Sequence, residues 1–201
     1  MKMKEMAATS LCWAKSVQTQ SFKTGDMHIE LRDNGTPVYW RQIISNNYAR
    51  PRACFILWLA LWNRLPTKDR LEKINVVTDG LCVFCGQIES INHLFFVCRH
   101  SQVIWQTMLN WLGYTRASGD WIQESSWVSL EVEKKGWKRK ILKMITAEVV
   151  YLIWQDRNGR IFNKHNQNCD LVALAKYMVI SRAIRRKELA RHVNLESLVI
   201  S

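Results

Sequence analysis

Several features that define common protein classes are missing from this sequence of 201 residues. No uninterrupted apolar run approaches the roughly 20 residues that a transmembrane helix needs. The longest candidate, Met144–Trp154, contains Glu148 and indicates a buried helix instead. The amino terminus, MKMKEMAATSLCWAKS, lacks the continuous apolar stretch of a secretory signal. We therefore expect an intracellular protein of the nucleus or cytoplasm, with no membrane partner, whose six cysteines stay reduced unless they bind a metal.

The motifs of common catalytic sites are also missing. No H-E-x-x-H, G-x-G-x-x-G or phosphate-loop pattern occurs, and no two aspartates are adjacent. Polymerases use paired aspartates to hold the two metal ions of phosphoryl transfer. We therefore predict that the chain is not an enzyme and has no small-molecule substrate.

Positive charge is concentrated in the carboxyl-terminal third of the chain, which has a formal net charge of +12. Residues 1–133 hold 14 Lys/Arg against 12 Asp/Glu, whereas residues 134–201 hold 15 against 5, so the two parts carry +2 and +10. A basic segment on a nearly neutral domain indicates a polyanionic partner, RNA or DNA, although excess cations also keep proteins soluble.

One stretch, GLCVFCGQIESINHLFFVC at residues 80–98, contains a set of potential zinc ligands. The spacing C-x2-C-x7-H-x4-C is formed by Cys82, Cys85, His93 and Cys98. Three thiolates and one imidazole complete a tetrahedral shell, which is typical of a structural zinc ion rather than a catalytic one. Two other interpretations stay open: cysteines that pack as small apolar residues, and a redox-active C-x-x-C pair.

Helix geometry limits how this set can close around one ion. Ser90 can cap a helical turn that carries His93, but continuous α-helix would place Cys98 about 140° around the axis from His93. The helix is therefore predicted to end or deform between them. His100 could replace His93 as the fourth ligand, at a poorer spacing. We interpret as packing residues the cysteines without a partner at metal spacing: Cys12, Cys54 and Cys169.

Apolar periodicity predicts a mainly α-helical fold. Pro51 starts a helical pattern that stops at Pro66, Thr67 can cap a short helix, and a further helix runs from Cys98 to Gly113. The aromatic rings at helical spacing are interpreted as core residues: Trp58, Trp62 and Trp105.

Composition divides the chain into four parts. Residues 1–25 show no sustained period and are predicted to be an irregular arm. Residues 26–113 are predicted to form a small zinc-stapled helical domain with a short irregular turn, like a zinc knuckle, at the candidate ligands. Residues 114–136 are rich in Ser, Gly, Asp and Glu and are predicted to be a linker. Residues 137–201 contain two long helical patterns, which predict a basic helical tail folded as a hairpin.

The order of these features resembles a known family. RACFILWLALWNRLPTKDRL, then CVFCGQIESINHLFFVC, then Trp105 are similar to the zinc-binding region downstream of the reverse transcriptase in plant LINE-type (non-LTR) retrotransposons. The shared pattern includes a Leu-Pro-Thr turn, C-x-x-C-G, an acidic residue before His-Leu-Phe and a trailing tryptophan. YLIWQDRNGRIF, Tyr151–Phe162, is similar to the Trp–Arg-Asn–Ile-Phe segment that often follows. By position, the resemblance implies one structural zinc ion on Cys82, Cys85, His93 and Cys98.

The resemblance also implies that the chain binds element RNA or target DNA beside a polymerase, and the missing aspartates indicate a carboxyl-terminal fragment without that polymerase. We expect a non-catalytic zinc-binding module of retrotransposon origin, whose partners are RNA or DNA and could include a reverse transcriptase polypeptide. Alternatives are a zinc-stabilised protein-interaction module and a relic without selected function. Candidate phosphate contacts are clustered cations that could equally form solvated helix faces: Lys138, Arg139, Lys140 and Lys143 on the first helix of the tail, and Arg182, Arg185, Arg186, Lys187 and Arg191 on the second.

Overall fold

The computed structural model describes residues 38–162 and 169–192, and those from Tyr39 onward belong to one compact unit. The helices in chain order are α1 (Arg41–Ile44), α2 (Pro51–Leu61), α3 (Lys68–Lys73), a π-helical turn (His93–Val97), α4 (Arg99–Trp111), α5 (Trp121–Glu133), α6 (Trp137–Phe162), α7 (Leu171–Ala183) and α8 (Lys187–Ala190). Within the described residues, the β-structure consists of one isolated antiparallel bridge between Leu81 and Ile88. The predicted mainly α class is confirmed, and the predicted arm over residues 1–25 lies outside the described residues.

The longest helix, α6, forms the centre of the core. Every residue from Met144 to Trp154 is buried, as expected for a mostly apolar helix segment, and the buried carboxylate of Glu148 is paired with Arg50. Helices α2, α4, α5 and α7 and the π-helical turn all pack on α6. Packing of α6 with α7 agrees with the predicted hairpin, but α6 is a core helix and not part of an appended tail. Within the described ranges, no helix is both long and apolar enough to cross a membrane.

Residues 114–136, predicted to be a linker, contain helix α5. Asp120 begins the helix with a capping box, in which its side chain accepts from the amide of Gln123 and the side chain of Gln123 accepts from the amide of Asp120. The helix buries Trp121 against the core, and its carboxylate Glu124 is fully buried as well. The linker prediction is therefore wrong, because polar residues of this segment, such as Glu124 and Glu131, have hydrogen-bond partners inside the protein.

The outer face of α2 is aromatic and partly exposed. Of the three tryptophans interpreted as core residues, Trp105 is completely buried, Trp58 is half-buried and Trp62 is 43% exposed. The ring of Trp58 stacks with Phe55, which is 56% exposed, at a centroid distance of 5.9 Å. The core interpretation is therefore confirmed for Trp105 and wrong for Trp62, because α2 buries its small and aliphatic side and Trp62 lies just beyond the end of the helix.

Candidate metal centre

The two cysteines of the C-x-x-C motif lie on a tight turn closed by backbone hydrogen bonds. The amide of Cys82 donates to the carbonyl of Gln87 at 2.6 Å, and the amide of Gly86 donates to the carbonyl of Cys82 at 2.8 Å. Gly86 has a φ of +74°, a left-handed conformation that glycine adopts without strain. This short reversal lets the sulfurs of Cys82 and Cys85 reach one site.

The other two ligands are brought together by a π-helical turn. The amide of Cys98 donates to the carbonyl of His93 at 2.6 Å, an i→i+5 bond that encloses one more residue than an α-helical turn. The amide of His93 donates to Oγ of Ser90 at 3.1 Å, as predicted for a cap at that position. The predicted deformation between His93 and Cys98 is confirmed, and it removes the angular mismatch of a regular α-helix.

All four predicted ligands converge. The potential donor atoms of Cys82, Cys85, His93 and Cys98 lie within 4.8 Å of one another. Sγ of Cys82 is 3.9 Å from Sγ of Cys98, and Sγ of Cys85 is 3.0 Å from Nε2 of His93. Tetrahedral zinc with bonds of about 2.3 Å to sulfur places two sulfurs about 3.8 Å apart. The cluster is therefore a potential metal site whose donors and spacing fit zinc.

Burial and hydrogen bonding shift the pKa values of Cys82 and Cys98 in opposite directions. Cys82, His93 and Cys98 are buried, whereas Cys85 is exposed. The thiol of Cys82 donates to Sγ of Cys98, which raises the pKa of Cys82 together with burial and lowers the pKa of Cys98. Cys98 is also the N-cap residue of α4, where the amide of His100 lowers the same pKa. The two pKa shifts have opposite signs, so the sulfur of Cys98 is deprotonated more easily than that of Cys82.

His100, the alternative fourth ligand, points to other partners. Its ring stacks on Phe84 with centroids 4.3 Å apart, and its Nε2 lies 3.4 Å from Oδ2 of Asp156. Burial lowers the pKa of His100, while the carboxylate of Asp156 acts in the opposite direction. The histidine whose ring nitrogen lies close to the three cysteine sulfurs is His93. The alternative with His100 as a ligand is therefore wrong.

A buried carboxylate, which the sequence analysis did not assign to the site, anchors the ligand turn. Glu89 accepts from the amide of Lys68 at 2.9 Å, and from Nη2 and Nε of Arg157 at 2.6 and 3.1 Å. One side chain therefore connects α3, the ligand turn and α6. The sequence did contain a signal, because Glu89 is the acidic residue before His-Leu-Phe and Arg157 belongs to the Arg-Asn of the trailing segment.

Thr67 occupies the predicted N-cap position of α3 but does not cap the helix with its side chain. Its hydroxyl donates to Oδ1 of Asp69 at 2.5 Å, and it makes no capping hydrogen bond with the residues that the structure describes. The first amide of α3, that of Lys68, is bonded by Glu89 instead. The position was predicted correctly and the capping group was not, because the acceptor comes from a distant part of the chain.

The apolar residues between His93 and Cys98 support the site through aromatic contacts. The ring of Phe96 lies 5.0 Å from that of Trp105 and 5.4 Å from that of Trp121, between centroids. Trp105 in turn donates from Nε1 to Oε2 of buried Glu124 at 2.8 Å. Helix α5, in the region predicted to be a linker, therefore forms part of the wall behind the metal centre.

The remaining cysteines have different environments. Cys54 is half-buried, and burial raises its pKa, with the carboxylate of Glu148 acting in the same direction. Cys169 is exposed, so the packing interpretation is wrong for that residue. Cys12 lies outside the described ranges.

The candidate phosphate contacts on α6 are already engaged within the protein. Their partners are a mixture of carboxylates, a ring and a carbonyl: Arg139 pairs with Glu131, Lys140 with Glu188, Lys138 lies over the ring of Tyr114, and Lys143 donates to the carbonyl of Ser45. These contacts reduce the positive charge that α6 offers to a polyanion.

The other candidates do not lie on one helix. Arg182 is in the last turn of α7, Arg185 and Arg186 follow the end of that helix, and Lys187 begins α8. Arg191 comes directly after α8. Except for half-buried Arg182, these cations are exposed. They form a compact basic end in place of the predicted continuous helix face.

Comparison with known proteins agrees with this geometry. Residues 22–105 match the family described as zinc-binding in reverse transcriptase. The matched range contains all four potential ligands and Glu89 and ends at Trp105, inside α4. The class of domain that this part of the chain resembles is an accessory zinc-binding domain of reverse transcriptases, distinct from the catalytic polymerase. No similar curated protein and no similar solved structure was found.

Proposed function

We propose that the protein binds one structural zinc ion through Cys82, Cys85, His93 and Cys98. The observation that carries this proposal is the convergence of four zinc-type donor atoms within 4.8 Å. Three thiolates and an imidazole leave no ligand position open for water, so the bound ion supplies a crosslink and no hydrolytic chemistry. That crosslink joins the C-x-x-C turn to the start of α4.

Elemental analysis of reduced, metal-replete protein tests the assignment, with about one zinc per chain as the expected result. The double variant Cys82→Ser/Cys85→Ser should lose the zinc. The matched control is Cys54→Ser/Cys169→Ser, which removes two thiols elsewhere and should keep it. Zinc-free parent protein, or unchanged zinc in the ligand variant, contradicts the proposal.

We further propose that the chain is a non-catalytic nucleic-acid-binding module of retrotransposon origin, from a plant LINE-type element, acting beside a reverse transcriptase. The family match over residues 22–105 and the +10 net charge of residues 134–201 support this function. Binding of RNA or DNA should weaken steeply with salt, because cations that contact phosphate release counterions.

A protein-interaction module is the second candidate, and one observation favours it. Phe55 on α2 and Trp62, which directly follows α2, expose 56% and 43% of their surface. Titrating RNA and DNA into the protein over a salt series distinguishes the two functions. Salt-sensitive binding supports the nucleic-acid module, whereas no binding even at low salt contradicts it and leaves the interaction module or a relic.

A further inference from the structure

Three arginines surround a small cavity at the basic end of the molecule. The cavity has a volume of about 220 Å³ and is lined by Tyr48, Arg182, Arg185 and Arg186. We refer to it as the Tyr48 pocket. Tyr48 comes from the segment between α1 and α2, while the arginines come from the end of α7 and the turn that follows.

The polypeptide holds two of these arginines against Tyr48. Nε of Arg182 donates to the carbonyl of Tyr48 at 2.9 Å, and the guanidinium carbon of Arg186 lies 4.4 Å from the centroid of the Tyr48 ring. The turn after α7 is closed by a hydrogen bond from the amide of Arg186 to the carbonyl of Ala183 at 2.9 Å. The guanidinium groups of Arg182 and Arg186 are therefore held in place by contacts within the fold.

The charge of the pocket is poorly compensated within the described part of the chain. The carboxylate next to it is Glu188, which accepts from the Tyr48 hydroxyl at 3.3 Å and is shared with Lys140 at 2.7 Å. Each guanidinium has about five N–H donors. Hydrogen bonds between described residues use only Nε of Arg182. Several forked donors thus face a cavity in which like charges repel one another.

We propose that the Tyr48 pocket binds a phosphate group of a nucleic-acid strand. The planar fork of arginine matches phosphate oxygens in a bidentate manner, so three guanidiniums around one cavity suit a tetrahedral anion. The inference rests on the proposed nucleic-acid function and names the point at which the strand is anchored. A terminal phosphate, with a charge of about −1.5 to −2, and an internal phosphodiester share this chemistry.

Fluorescence anisotropy with labelled single strands of about 12 nucleotides, RNA and DNA, each with and without a 5′-phosphate, tests the pocket in the full chain. The Arg185→Gln/Arg186→Gln variant should bind about 10-fold or more weakly, since bonds between charged groups are lost. Arg185→Lys/Arg186→Lys keeps the charge but not the fork, and should recover only part of the loss. Both positions are exposed, and melting curves establish that each variant is folded.

The matched control is Lys73→Gln/Lys135→Gln, which removes the same charge from exposed positions on other elements. This control should weaken binding by about twofold or less, because distant charges are screened. If the 5′-phosphate increases the affinity of the parent more than that of the Gln variant, the ligand of the pocket is a terminal phosphate. If the Gln variant loses the same affinity for strands with and without the 5′-phosphate, the ligand is an internal phosphodiester.

Two further results overturn the inference. Equal affinity of the Gln variant and the lysine control removes the pocket from the mechanism while the nucleic-acid function survives. The second result is that a phosphoserine peptide binds the parent but not the Gln variant, while the Gln variant and the lysine control bind the oligonucleotides equally. That result assigns the pocket to a protein ligand. The proposed function itself fails only if the parent protein binds none of the strands at low salt.

Discussion

Arg157 and Glu89 form an ion pair inside the protein, with Nη2 2.6 Å from Oε1 and side-chain exposures of 3% and 0%. The guanidinium also lies 4.9 Å from the centroid of the Trp154 ring. The carboxylate gains a third hydrogen bond from the amide of Lys68, which helps to offset the cost of burying it. Through this pair, α6 is tied directly to the segment that carries the metal ligands.

Removing one partner of this pair should destabilise the fold strongly. Arg157→Leu leaves the carboxylate of Glu89 buried without its counter-ion, and we expect the free energy of unfolding to fall by about 3–5 kcal/mol. Urea unfolding followed by tryptophan fluorescence measures it. Lys73→Leu, which breaks an exposed contact to Asp69 at 4.0 Å, is the control and should cost about 1 kcal/mol or less.

A double variant tests whether the two charges act as a unit. Glu89→Gln/Arg157→Leu should lose less stability than the sum of its single changes, because no uncompensated charge remains buried. If the two losses simply add, the pair is not coupled and its role as the anchor of the ligand turn is wrong.

Helix α5 should contribute to global stability through Glu124. This carboxylate accepts from Nε1 of Trp105 at 2.8 Å and from Nη1 of Arg116 at 2.7 Å. Glu124→Gln should lower the free energy of unfolding by about 1–3 kcal/mol, since buried donors lose a charged acceptor. The exposed Glu133 on the same helix provides the control, Glu133→Gln, for which little change is expected. Equal stability of both variants would indicate that residues 114–136 behave as an unpacked linker after all.

Removing the metal should loosen the structure around the ligands. The thiolates gain little from being brought together without an ion, so a chelator should lower the melting temperature and re-added zinc should restore it. The near-ultraviolet circular dichroism should change at the same time, because the rings of Trp105 and Trp121 pack against Phe96 beside the site. Cys82→Ser/Cys85→Ser protein should melt at one temperature with or without chelator, and a chelator effect in that variant would place the metal elsewhere.

Stability should fall at alkaline pH because of Tyr114. Burial raises the pKa of Tyr114 to about 12, and the hydrogen bond from its hydroxyl to Glu131 acts in the same direction. The folded state therefore favours the neutral phenol. The resulting contribution to the free energy of unfolding is complete below the ordinary pKa of about 10 and is lost as pH rises toward about 12. The stability difference between the parent and Tyr114→Phe should shrink between about pH 10 and about pH 12. Tyr177→Phe, at an exposed ring, should show no such trend.

Local patterns in the sequence were sufficient for the class of fold and for the four residues of the potential metal site. The spacing of Cys82, Cys85, His93 and Cys98 identified the cluster, because a tight turn and a short helical segment bring such donors together without help from distant residues. The starts of α2 and α6 followed from Pro51 and from the apolar period after Gly136. Even the break in the helix after His93 could be predicted, since helix geometry alone forbids a regular turn there.

Tertiary contacts decided what the local patterns left open. Glu89 and Glu124 lie in polar stretches, and their burial is favourable because the fold brings partners to them: Arg157 to Glu89, and Arg116 and Trp105 to Glu124. Apolar periodicity also predicted that the middle of α6 is buried, but the sequence did not show which helices cover it, and in the structure α2, α4, α5 and α7 do so. Composition reports how polar a segment is, but burial depends on whether distant groups satisfy its charges and hydrogen bonds, which requires the three-dimensional arrangement of the chain.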